Sequence, residues 1–178
     1  TCALPILRLS AGSLSDATES AVLAGANAMA IGDEATGIWE VFQFQRAELV
    51  APRTYELSVR LRGQLGTDAV MPEAWPINSR VVLLDRTIQQ IDLAASGRGL
   101  ARHYRVGAAG RGYDDPNVVH RQAAFAGVGL RHYAPVHLQA RWREGGLLVT
   151  WVRRTRIDGD NWQQWEVPLG ELVESYLV

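Results

Sequence analysis

Four histidines, His103, His120, His132 and His137, are the first residues to weigh for chemistry. A structural zinc site needs ligands at short, paired spacings such as Cys-x-x-Cys, and a metalloprotease needs His-Glu-x-x-His. None of the four His shares such spacing with a second ligand. The plainer reading of each is a satisfied polar contact, as for His132 beside Tyr133. Asp158-Gly159-Asp160-Asn161 invites a calcium reading, but an EF-hand loop needs alternate oxygen ligands, a Gly at its sixth position and a Glu at its twelfth. That spacing fails here, so a turn between strands accounts for the residues, as it does for Asp114-Asp115-Pro116. Neither Gly97-x-Gly99 nor Gly107-x-x-Gly110-x-Gly112 combines a preceding strand with a following helix, so they read as flexible loops and not as phosphate cradles. No Gly-x-Ser-x-Gly occurs, and Cys2 has no adjacent base. Glu171 and Glu174 do not form the separated carboxylate pair that glycoside hydrolysis requires. The expectation is no catalytic residue, no cofactor-binding residue, no metal ligand and no enzymatic activity.

Tryptophan is the more telling residue type. There are 6 in the chain. Trp39 and Trp151 sit in strand-like runs and read as core. Trp75, Trp162 and Trp165 lie in loop-like contexts, where they could stack on sugars or bury in a neighbouring protein. Interfaces favour Trp and Arg as anchors, so the interface reading comes first. Every basic residue is Arg, 18 against 19 acids, for a net charge of −1. Arg makes planar bidentate contacts that Lys does not, which suits a surface with many fixed ion pairs. The charge balance gives no reason to expect a nucleic-acid partner, and no run approaches the ~18 apolar residues of a membrane span. With a single Cys there is no internal disulfide, which fits assembly in a reducing cytoplasm. The chain lacks an initiator Met and stops in a strand-like run, so it reads as a segment of a longer polypeptide.

These residues must be positioned mostly by strands. Leu4 to Leu9 is a short apolar run. Asp16-Ala17-Thr18-Glu19 has capping-box spacing ahead of a short helix from Glu19 to Leu23, closed by Gly25. Asn27 to Ile31 and Ile38 to Ala47 read as strands. Thr54 to Arg62 alternates with period two, placing Tyr55, Leu57, Val59 and Leu61 on one face. Ala51-Pro52 marks the turn before it, and Gly63 and Gly66 bend the chain after it. Pro72 and Pro76 bracket Trp75 in a loop. Arg80 to Leu84, Thr87 to Leu93 and Ala101 to Val106 are further strands, and Val118 to Ala126 is strand or extended loop. Val136 to Trp142 and Leu147 to Val152 flank the hairpin signal Glu144-Gly145-Gly146. Another strand starts at Glu174. Short strands with frequent turn signals favour an all-β sandwich or barrel over α/β folds.

Several phrases, in this order, resemble the C-terminal part of the large baseplate protein of gene transfer agents, often described as a phage host-specificity or tail protein. They are Gly37-Ile38-Trp39-Glu40-Val41-Phe42-Gln43-Phe44, Tyr55 through Thr67 with its Leu-Arg-Gly-x-x-Gly-Thr ending, Gly127-Val128-Gly129-Leu130 with Tyr133-Ala134-Pro135-Val136, and Trp151 through Gly159. The resemblance implies a long multidomain parent at the distal end of a phage-like tail, in contact with the host envelope. A glycoside hydrolase-like TIM barrel in part of that family would lie upstream. The expected organisation is a β-rich barrel or sandwich-like tail-tip domain over 1–133 and a partial fibronectin type III-like module over 134–178. The expected partners are other baseplate and tail-hub subunits, as a homotrimer in the particle, and the expected location is the tail tip of a virion-like particle. Two rivals remain: a module binding host surface polysaccharide through Trp75, Trp162 and Trp165, and a glycoside hydrolase fragment.

Overall fold

The computed structural model describes residues 5–155, 157–159, 161, 163, 165–170 and 173–176. The chain is mainly β and divides into two compact units, Thr1–Gly129 and Leu130–Val178.

The first unit is built on an antiparallel five-stranded sheet of order β1-β4-β3-β2-β5. Its strands are β1 (Ile6–Arg8), β2 (Ala28–Asp33), β3 (Ile38–Ala51), β4 (Thr54–Gln64) and β5 (Arg80–Leu83). The aromatic and β-branched run of β3 forms the spine. It pairs with β2 along its first half and with β4 along nearly all its length. Beyond the end of β2, the segment before the helix takes over: Ala17 N–H donates to the Gln45 carbonyl and Ala47 N–H to Asp16 Oδ1, both at 2.8 Å. The helix α1 (Glu19–Leu23) is therefore capped by Thr18, whose side chain accepts from Ala21 N–H, and not by Asp16 as capping-box spacing suggested. Asp16 is already committed to the edge of β3. Gln43 is drawn to the helix end, where its amide donates to the Val22 and Ala26 carbonyls; the Val22 carbonyl also accepts Gly25 N–H.

The core gathers Leu7, Met29, Phe42, Phe44, Tyr55 and Leu57, with Leu9, Leu14 and Ile31 packed against it. Each such side chain contributes about 1.5–3 kcal/mol on burial. The alternation of β4 holds only through Leu57. Val59 adopts φ 52° and is 60% exposed, and Leu61 is also exposed. A left-handed residue reverses which face its successors present, so the expected inward stripe stops two residues early. Trp39 is half-buried against Gly32, its cross-strand partner, where a Cβ would meet the indole at 2.4 Å.

The rest of the unit is looser. The strand expected over Thr87 to Leu93 is irregular chain. Asp85 Oδ1 accepts from both the backbone N–H and the hydroxyl of Thr87, a local bond that competes with any ladder. A two-stranded ribbon follows, β6 (Arg102–Val106) with β7 (Val119–Ala123), around the glycine-containing stretch from Gly107.

The second unit carries the hairpin β8 (Val136–Arg143) and β9 (Gly146–Val152), closed at Glu144-Gly145 as the turn signal predicted. Trp151 is half-buried, its ring tilted on Tyr176 with centroids 4.8 Å apart. Residues 173–176 are not a strand, which corrects the start expected at Glu174; Leu177 and Val178 lie outside the described residues.

Candidate functional site

The most organised polar cluster sits where β3 meets the end of β4. Glu40 shares its face of β3 with Phe42 and Phe44 and is fully buried. An acid placed there must be paired, because an isolated buried carboxylate is very costly. Its partner arrives through a β-bulge. The pairing of β3 with β4 runs Gln43↔Leu61 and then Val41↔Gln64, so Arg62 and Gly63 together oppose Phe42. Gly63 supplies the left-handed residue such a bulge uses, at φ 63°. The bulge turns Arg62 onto Glu40. Nε donates to Oε1 at 2.9 Å and Nη2 to Oε2 at 2.7 Å, a two-point pairing of guanidinium with carboxylate. Gly63 N–H adds a bond to Oε1 at 3.2 Å, and Trp75 Nε1–H one to Oε2 at 2.6 Å.

Burial pushes the Glu40 carboxyl upward. The hydrogen bonds from Arg62, Trp75 and Gly63, with the Arg62 charge, outweigh it and leave the group below its ordinary value. The carboxylate is thus held ionised and surrounded by donors, which suits a brace and not a proton shuttle. Arg62 extends the brace by donating to the Pro72 and Glu73 carbonyls, tying down the loop that carries Trp75. Thr67 completes it from the other side. Its hydroxyl donates to the Gln64 carbonyl at 2.7 Å and accepts Val41 N–H at 3.0 Å. Gly66, at φ 79°, packs so close to the Val128 carbonyl that a Cβ would come within 2.8 Å. The phrase Arg62-Gly63-x-x-Gly66-Thr67 is, residue by residue, a device for closing this corner of the sheet.

Trp75 is accordingly half-buried with its N–H engaged. Trp165 is fully exposed in the second unit, and Trp162 lies outside the described residues. Glu174 accepts from Arg153 Nη1 at 2.6 Å and from the Tyr176 hydroxyl at 2.7 Å, and that second bond raises the tyrosine's pKa. Glu171 and Cys2 are outside the described residues. Of the four histidines, His103 and His120 come together on the β6–β7 ribbon, with His103 Nδ1 and His120 Nε2 2.9 Å apart. Among the described residues no group of three or more His, Cys, Asp or Glu is placed to hold a metal. No helix among them is long and apolar enough to cross a membrane.

Sequence reasoning missed the role of Glu40. The signal was its even spacing with Phe42 and Phe44, an acid on an apolar face. It missed the histidine pair because the partners are 17 positions apart along the chain and meet only across strands.

No curated protein matches the chain. Residues 4–82 match the family described as Rcc01698-like, C-terminal, a stretch that runs from β1 into β5 and so takes in the braced five-stranded sheet and the Glu40 corner.

Proposed function

We propose that this chain is a structural and interaction segment of a phage-like tail tip or baseplate, of the kind gene transfer agents carry, with no catalytic step of its own. The family matched over residues 4–82 has a name associated with gene transfer agents, in keeping with the resemblance in the sequence. The observation that carries the interaction role is the display of large apolar side chains on the β8–β9 hairpin. Trp142 is 83% exposed and faces its cross-strand partner Leu147, itself half-exposed; Leu138, on the same side of β8, is 70% exposed. Contiguous exposed apolar groups of this size mark surfaces that are covered in an assembly. The braced sheet serves as the rigid part and the hairpin as the docking part, the opening of a fibronectin type III-like module. The partners are tail-hub and baseplate subunits in a threefold particle, at the tail tip.

The test is co-sedimentation of the purified chain with isolated hub and baseplate subunits, beside a Trp142→Ser variant. Binding by the parent and its loss in the variant is the expected result. A second reading, recognition of host surface polysaccharide, is favoured by the fully exposed ring of Trp165. Saturable glycan-array binding abolished by Trp165→Ala, with no binding to hub subunits, would replace the first reading with the second. Trp75→Ala is a poor probe of that question, since it also removes a donor from buried Glu40.

A further inference from the structure

We propose that His103 and His120 form a two-nitrogen site for a transition-metal cation of the copper(II) or nickel(II) class. The β6–β7 register pairs His103 with Gln122 and Arg105 with His120, so the two imidazoles are diagonal neighbours on one face of the ribbon. Both side chains are exposed. Their planes lie 17° apart and the facing nitrogens, His103 Nδ1 and His120 Nε2, are separated by 2.9 Å. In the metal-free chain one ring donates an N–H to the other.

Copper(II) stands highest in intrinsic affinity among the first-row divalent cations, and copper(II) and nickel(II) both take nitrogen and oxygen donors in tetragonal geometry. To bind, the donor ring moves its proton to its far nitrogen, and both rings pivot so that their lone pairs converge. Water fills the remaining positions. Arg105, the cross-strand partner of His120, holds its guanidinium over the Tyr113 ring at 5.3 Å.

The test is copper(II) titration of the whole chain in a Cys2→Ser background, which removes the thiol as a competing ligand. It is followed by calorimetry and by electron paramagnetic resonance. One saturable equivalent with hyperfine structure from two imidazole nitrogens is expected. His103→Ala and His120→Ala should each weaken it by at least the roughly 10–100-fold that loss of even an outer-shell partner costs. His132→Ala and His137→Ala should leave it unchanged, with circular dichroism confirming the fold of all four. The proposal is overturned by a parent that shows no saturable equivalent, by a spectrum that survives in His103→Ala, or by loss of the site in either control variant.

Discussion

The five-stranded sheet and the β8–β9 hairpin start from the same kind of sequence and end differently. Both show strands alternating with period two. In β4 the alternation buries Tyr55 and Leu57 to under a tenth of their surface, whereas in the hairpin Leu138, Trp142, Leu147 and Leu148 stay exposed. Alternation specifies a strand and the side on which its apolar groups gather; burial needs a second layer over that side. The first unit supplies one. Leu9 and Leu14 pack against the core cluster, and the helix adds buried Val22. In the second unit the described chain offers the hairpin Tyr176 against Trp151 and the bonds of Arg153 to Glu174 and the Val167 carbonyl. A lone two-stranded hairpin is marginal in water at best.

The sharpest way to break this contrast is to attack the brace. Arg62→Met leaves Glu40 buried without its counter-charge, and such losses cost about 3–5 kcal/mol. Urea unfolding followed by circular dichroism should show the midpoint collapse. The pH dependence gives an independent handle. Glu40 has a lowered folded pKa, so its contribution is present above the unfolded carboxyl value of about 4.3 and is lost as pH falls through the folded value. The parent should therefore lose stability on acidification below about pH 4.5, and Glu40→Gln should flatten that slope while lowering stability at neutral pH. A Glu40→Gln chain with the parent's acid slope would show that other carboxyls dominate.

A smaller effect is expected at the bulge. At Gly63 a Cβ would come within 2.8 Å of Asp68 Cα and would sit at φ 63°. A non-glycine residue held there costs on the order of 1–3 kcal/mol. Gly63→Ala should lower the thermal midpoint, and Gly37→Ala, also at positive φ but with open space around it, should cost less. Equal losses at the two glycines would mean that backbone conformation alone matters and that the close packing of the corner does not.

Much of the sheet was legible because its signals are local. The strands at Ala28, Ile38 and Thr54, the helix at Glu19 and the turn at Glu144-Gly145 all follow from period, caps and turn chemistry. What escaped depended on contacts distant in sequence. Asp16 has the spacing of a cap, and nothing nearby in sequence reveals that Ala47 N–H claims it. Thr87 to Leu93 has strand composition, yet Asp85 folds the chain back on Thr87 first. The stripe through Val59 and Leu61 has an inward pattern in the sequence, since no residue type announces a left-handed valine. The brace was half visible: Arg62-Gly63-x-x-Gly66-Thr67 stands out as a phrase, but its purpose depends on an acid 22 positions earlier.

The gentlest perturbation is the most decisive for the contrast itself. Leu138→Ser and Trp142→Ser remove apolar surface that is already in water, so nothing is lost from a core. Exposed substitutions usually fall within about ±0.5 kcal/mol. Both variants should unfold at the parent's urea midpoint, and their solubility should rise, because the unfavourable exposure of a large apolar face is relieved. A fall of about 2 kcal/mol or more in either variant, of the size that follows truncation of a core leucine, would mean that these side chains are covered in solution. The chain would then have to associate with itself through the hairpin, and sedimentation of the same variants would show a mass lower than the parent's.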